Sequence, residues 1–216
     1  MSYAPDHKLR VHLEIVRAAA RLFREVGIQG TGIDRLMGEV GLTRGGFYAH
    51  FASKAALAEE ALAFIFAESR ENLFSKGLER LSGAAWVRAA TRRYLDPGHA
   101  ELPGEGCAIP VLGAEIARAE PSVRAAFQGE VDAVVALIAE RSGLTRGDAS
   151  TLLGLWVGAV TLARAGADPR RAREHLEAAR AHIETTFVAS GRSPNQGTQD
   201  GAARATRAAA DAVGTG

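Results

Sequence analysis

A lone cysteine, Cys107, excludes an intrachain disulfide and fits a reducing compartment. No apolar run approaches the roughly 18 residues of a membrane span, and no membrane contact is expected. The N-terminus shows no basic segment leading into an apolar stretch and a small-residue cleavage site. No signal peptide is therefore expected, and the chain reads as cytoplasmic. Alternation of apolar and polar positions, the mark of a half-buried strand, is missing. So are HExxH, a phosphate loop and a persuasive Ser/His/Asp set, which argues against an enzyme. His175 and His182 are seven apart on one helix face, but no third ligand has suitable spacing, so neither metal nor cofactor is expected. Large net charge is absent too. The total of +1 nevertheless hides an asymmetry: through Lys54 eight Lys/Arg face five Asp/Glu. That excess points weakly to a polyanion at this end.

Helical periodicity dominates what is present. Leu9, Leu13, Val16, Ala20 and Phe23 fall on one face of a first helix, with Gly27 as its stop. A short helix is expected over 33–40, ended by Gly41. Thr43 is placed to cap a third through His50, and Ser53 a long fourth past Phe66. Further segments lie near 84–95, 107–119, 121–142, 146–165 and 169–190. Pro121 and Pro169 suit first helical turns, and Thr145 with Asp148 resembles a capping box. The fold class is all-α, with about nine helices. Residues 96–106, "DPGHAELPGEG", read as a turn-rich loop. Residues 191–216 are rich in Gly, Ala, Ser and Thr and read as a disordered tail, with a frayed helix near 202–213.

The stretch "GLTRGGFYAHFASK" (41–54) places two glycines where a helix is expected, each less favourable there than alanine by about 1 kcal/mol. With 33–40 before it, the stretch makes a helix-turn-helix packed through Leu36, Val40, Leu42 and Phe47. The second helix of such a motif lays its first residues against base edges in the major groove. Bare Gly45 and Gly46 would permit close approach to DNA. Arg44 suits a bidentate guanine contact, worth about 1–3 kcal/mol of discrimination. Tyr48 and Lys54 suit phosphates, and Thr43 adds a hydroxyl. Phe47 and Phe51 read as packing residues.

The run "IVRAAARLFREVGIQGTGIDRLMGEVGLTRGGFYAHFASKAALAEEAL" resembles the DNA-binding domain of TetR-family transcriptional regulators. The resemblance rests on the AA..LF..G core, the Thr31 region, Gly41, Phe47-Tyr48…His50-Phe51 and Ser53-Lys54. It covers about 50 residues. Met37 and Gly38 depart from the family's small and acidic pair, a change that touches packing or surface rather than the reading helix. The resemblance implies a DNA-binding domain over 1–52 and an effector-binding, dimerising domain over 53–190. It implies DNA contacts from Thr31, Thr43, Arg44, Gly45, Gly46, Tyr48, His50 and Lys54. Taken alone, His50 is a packing and hydrogen-bonding residue rather than a ligand.

"GCAIPVLGAEIA" and "LLGLWVGAVTLARA" resemble a branch with a single cysteine opening the sixth helix, 107–119. Some regulators of that branch sense electrophiles or oxidants there. Cys107 thus has two readings, a plain buried thiol and a sensor. A helix start favours a thiolate, covering apolar groups oppose it, and Arg164 is a possible cationic neighbour. Trp86, Tyr94, Cys107, Phe127 and Trp156 are candidates for an effector pocket, against their alternative as ordinary core. The segment 152–163 is apolar nearly all round, and 169–190 carries a stripe through Ala172, Leu176, Ala179, Ile183 and Phe187. Pairing with a twin across a two-fold axis would cover both, with Leu155, Val160, Leu176, Ile183 and Phe187 at the interface. The expected protein is a homodimeric bacterial regulator, a repressor, on a pseudo-palindromic double-stranded operator and answering to a small-molecule effector or to modification of Cys107. In the cell it would be cytoplasmic and nucleoid-associated when DNA-bound. A small all-α enzyme and an interaction adaptor without DNA binding remain the alternatives.

Overall fold

The structure, a computed structural model, describes residues 5–189; the expected tail lies outside them. Ten α-helices run through these residues, and no strand occurs among them. They are α1 (Pro5–Gly30), α2 (Ile33–Glu39), α3 (Arg44–Phe47), α4 (Lys54–Ser69) and α5 (Gly83–Tyr94). After these come α6 (Pro97–Glu101), α7 (Ile109–Ile116), α8 (Pro121–Ser142), α9 (Arg146–Ala165) and α10 (Pro169–Ile183). The all-α expectation holds, and α6 is the additional helix. It forms inside the expected loop because Asp96 accepts from the Gly98 amide at 2.9 Å and Pro97 presets the first turn.

The capping chemistry decides most boundaries. Ser53 accepts from the Ala56 amide at 3.1 Å and starts α4. Thr145 accepts from the Asp148 amide and donates to the Asp148 carboxylate, so α9 begins at Arg146 as expected. Gly143, at φ 71°, ends α8. Other expectations need correction. Thr43 precedes α3 without a side-chain cap, and α3 stops at Phe47 rather than His50. α7 begins after Cys107, and α10 widens beyond Ile183 into a π-helical turn reaching Ala189. Val16, Ala20 and Phe23 are buried as expected, together with Ile15, Ala19 and Leu22. Leu9 and Leu13, in contrast, are exposed, because the buried part of α1 begins only at Ile15. Leu42 is exposed as well, since the turn after Gly41 points it outward.

One apolar core extends from Ile15 to Val188. α4 bridges its two ends, packing on α1 and on α8. Several guanidiniums close chain ends within this body. Arg141 Nη2 donates to the carbonyls of Leu78, Glu79 and Leu81 at 2.6–3.0 Å. Arg93 reaches Asn72 and Lys76, and Arg180 reaches Leu95. Carbonyls without intrahelical partners thus gain charge-assisted bonds.

Candidate nucleic-acid interface

α2, the Gly41 turn (φ 68°) and α3 form the helix-turn-helix. Its anchors are Leu36, Met37, Phe47 and Phe51, each at most 2 % exposed. With Phe47 inward, Arg44, Gly45 and Tyr48 face outward. Tyr48 stands edge-on to Phe47, ring centroids 5.2 Å apart, and remains 58 % exposed. Neither Gly45 nor Gly46 has positive φ, so backbone strain does not require them. A Cβ on Gly45 would meet only Thr43 Oγ1, at 3.9 Å, whereas one on Gly46 would touch Met37. Gly45 therefore leaves the outer face bare, while Gly46 lies over the other helix of the motif. Met37 is fully buried and Gly38 exposed, so the departures from the family pattern fall in packing and surface.

The remaining candidates divide. Arg44 Nη1 donates to Asp34 Oδ2 at 2.9 Å, with both side chains mostly exposed. Thr43 is exposed at the entry of α3. Lys54 is half-buried at the start of α4; burial lowers its pKa, and the Glu115 carboxylate partly offsets that. His50 is half-buried beside His12 and Phe51. Burial and the neighbouring His12 and Lys8 lower its pKa. Thr31 lies elsewhere: it is 1 % exposed, and its hydroxyl donates to the Gly27 carbonyl at 2.8 Å. Its side chain closes the end of α1 rather than facing outward.

Behind this unit, Tyr94 and Trp156 stack with Phe74, their own centroids 5.4 Å apart, and Trp86 lies tilted against Phe74. Their indoles are satisfied, Trp86 on the Phe74 carbonyl and Trp156 on Thr91, each at 3.1 Å. Phe127 sits apart from them, edge-on to Phe66. None of these four lines the two larger cavities described. One, of about 390 Å³, lies among Pro97, Ala100, Arg164, Pro169 and Leu176. The other is an open groove of about 620 Å³ along Leu73, Arg92, Arg93 and His99.

Cys107 is 3 % exposed, just before α7. Burial pushes its thiol pKa up, against lowering by Tyr94, the Ile109 amide, Arg164 and Arg24. Tyr94 is also raised, chiefly by burial, so both groups keep their protons. The Cys107 thiol and the Arg164 charge both act on the Tyr94 hydroxyl, which makes no hydrogen bond. His99 fixes the approach to this thiol. Its Nδ1 donates to the Tyr94 carbonyl at 2.5 Å, and its Nε2 accepts from the Cys107 amide at 3.0 Å. Those contacts assign the neutral Nδ1–H tautomer. Arg164 donates to the carbonyls of His99 and Ala100, which gives the expected cationic neighbour.

The expected interface residues are occupied within the chain. Val160, Leu176, Ile183 and Phe187 are at most 6 % exposed, and Leu155 is half-buried. α10 spends its apolar stripe on α9, and the π-helical turn after it packs on α5. The outer face of α9 instead exposes Leu162 at 54 %. Sequence reasoning missed Asp34, His99 and Glu115. Asp34 carried a weak signal, an acidic residue in the first turn of a helix beside a predicted reading helix. His99 and Glu115 carried none, because their partners are backbone groups of distant segments.

Residues 15–61 match the family described as bacterial regulatory proteins, tetR family. The helix-turn-helix segment is thus of the tetR-family type. No curated protein matches it. Among solved structures, the reduced form of E. coli NemR superposes with a TM-score of 0.68 at 24 % identity, over 82 % of this chain and 96 % of that one. A TetR transcriptional regulator from Chloroflexus aurantiacus J-10-FL gives 0.67 at 27 % identity, over 85 % and 98 %. AibR, solved with isovaleryl coenzyme A and operator DNA, gives 0.58 at 20 % identity, over 82 % and 98 %. The architecture is thus that of DNA-binding transcriptional regulators, and no helix among the described residues is long and apolar enough to cross a membrane.

Proposed function

We propose that the chain is a homodimeric, effector-responsive repressor rather than an enzyme, acting in the bacterial cytoplasm on a pseudo-palindromic operator. The observation that carries this reading is the α3 face. Arg44, Gly45 and Tyr48 point outward from a motif whose own anchors are buried. Residues 1–52 serve as the DNA-binding unit and 53–190 as the effector-binding and dimerising unit. Thr43, Arg44, Gly45 and Tyr48 meet the groove, while Lys54 reaches a neighbouring phosphate. Gly46 and His50 support the helix from within, and Thr31 shapes the preceding turn. The dimer forms through the outer face of α9 around Leu162, with Leu155 at its edge. Binding in the body then shifts the population toward head spacings that no longer fit the operator.

A buried, protonated Cys107 favours a non-covalent ligand over thiol modification as the release signal. The cavity beside Arg164 is large enough for a small effector. Trp86, Tyr94 and Trp156 would then back it, opened only when the aromatic stack repacks, and Phe127 would take no part.

Footprinting on the DNA upstream of the chain's own gene tests the regulator reading. Protection of a two-fold site, weakened steeply by salt, is expected. No protected site there or in duplexes selected from a random library would overturn it. Operator affinity before and after treatment with a quinone separates the two release signals. Loss in the parent but not in Cys107→Ser would establish the thiol route; equal behaviour of both proteins would leave the ligand.

A further inference from the structure

Gly27 breaks α1 with φ 81° and ψ 167°, so the chain beyond it starts a new helical turn. The first amides of such a turn have no carbonyl of their own segment to bind. Those of Ile28 and Gln29 find one acceptor group far along the chain. Glu115 of α7 accepts from Ile28 through Oε2 at 3.0 Å and from Gln29 through Oε1 at 2.5 Å. A Cβ on Gly27 would stand 2.5 Å from Glu115 Oε2. Glycine thus supplies both the positive φ and the room for the carboxylate. On the same turn, Thr31 donates its hydroxyl to the Gly27 carbonyl, and its amide bonds to Ile28 at 3.3 Å. α2 begins only two residues later.

The receiving end of this contact is backbone, so the carboxylate fixes where the chain itself lies. Glu115 also faces the Lys54 ammonium electrostatically, and both line a crevice of about 190 Å³ with Gln29 and Arg118. α7 opens two residues after Cys107, next to the cavity-bordering segment that His99 and Arg164 hold. One side chain therefore joins the body of the protein to the entry of the helix-turn-helix.

We infer that Glu115 is a positioning residue for DNA reading: it caps the turn between α1 and α2 from α7 and sets the pose of α2 and α3 on the body. Its consequence for DNA rests on the regulator reading, whereas its hold on the chain does not. The test uses the full chain, as parent, Glu115→Ala and Glu115→Gln. Amide exchange is followed residue by residue, and affinity is measured for duplexes that the parent selects from a random library and for unselected duplex.

In Glu115→Ala, exchange of Ile28 and Gln29 and of the amides in 33–51 should rise about tenfold, as expected for one lost charge-assisted bond. Amides of α8 and α9 should exchange as in the parent. The ratio of selected to unselected affinity should fall by a similar factor. Glu115→Gln keeps one acceptor oxygen and should fall between parent and Ala on both measures. Faster exchange confined to Ile28 and Gln29, with an unchanged affinity ratio, would overturn the proposal and leave a local cap. If Glu115→Ala loosens α8 and α9 too, Glu115→Gln decides, and a parent-like ratio with faster 28–29 exchange overturns it. Should the parent select no sequence, the regulator reading fails, and the extent of faster exchange over 33–51 still decides whether Glu115 holds the motif.

Discussion

Arg44 has a partner before any DNA arrives. Its bond to Asp34 is exposed on both sides and contributes at most about 1 kcal/mol to folding. The pair occupies one guanidinium nitrogen and leaves the rest of the fork free. Arg44→Ala should cost about 1–3 kcal/mol of discrimination at one base position in each half-site, read by affinity for single-base variants of a selected duplex. Lys54 differs. As a phosphate contact, its loss should weaken binding to all sequences and reduce the salt slope by about one. Unchanged specificity in the first variant, or an unchanged slope in the second, would remove that residue from the interface. Gly45 allows a sharper test. Its exposed helical position gains stability from alanine, up to about 1 kcal/mol, so the thermal midpoint of Gly45→Ala should rise. DNA affinity should fall because the added methyl fills the bare face. A variant that is more stable and binds as well as the parent would mean that this face does not meet DNA.

At the scale of elements, α6 and the segment after it hang on His99. Burial lowers its pKa below 6.5, and its contacts require the neutral ring. The unfolded chain therefore takes up the proton first as pH falls. The contribution of His99 to stability is complete above its ordinary pKa near 6.5 and declines as pH drops toward the depressed folded value. Between about pH 7.5 and about pH 5, the thermal midpoint of the parent should fall more steeply than that of His99→Gln. Parallel curves would show that His99 carries no such linkage. The same segment shows where sequence reading stops. Asp96 and Pro97 are ordinary start signals, but a five-residue helix has too few residues to display a period. Thr43 was the opposite case, a good capping residue type whose hydroxyl is not used.

For the whole molecule, the question is which apolar face a twin would cover. Phe187 is 6 % exposed within its own protomer, so Phe187→Glu buries an unpaired carboxylate and should unfold the protomer. Leu162→Glu is the better probe, because that side chain is 54 % exposed and a surface substitution should spare the fold. Sedimentation at micromolar concentration should show a dimer for the parent and a monomer for Leu162→Glu, with operator binding lost alongside. A monomeric parent, or a dimeric variant with intact binding, would reject the α9 interface.

The sequence by itself determined the helix-turn-helix, because a local sterically dictated turn at Gly41, the inward Phe47 and the capping Ser53 lie within one short stretch. It determined most helix boundaries for the same reason: Pro121, Gly143 and Thr145 act on their own neighbours. Only the tertiary structure decided how α10 spends its stripe, since periodicity states that Leu176 and Ile183 are covered but not by which helix. Only the tertiary structure brought His99 to Cys107 and Glu115 to Ile28 and Gln29. Backbone amides have no signature in a sequence, and a carboxylate that binds them across so many intervening residues looks like any solvated glutamate until the chain has folded.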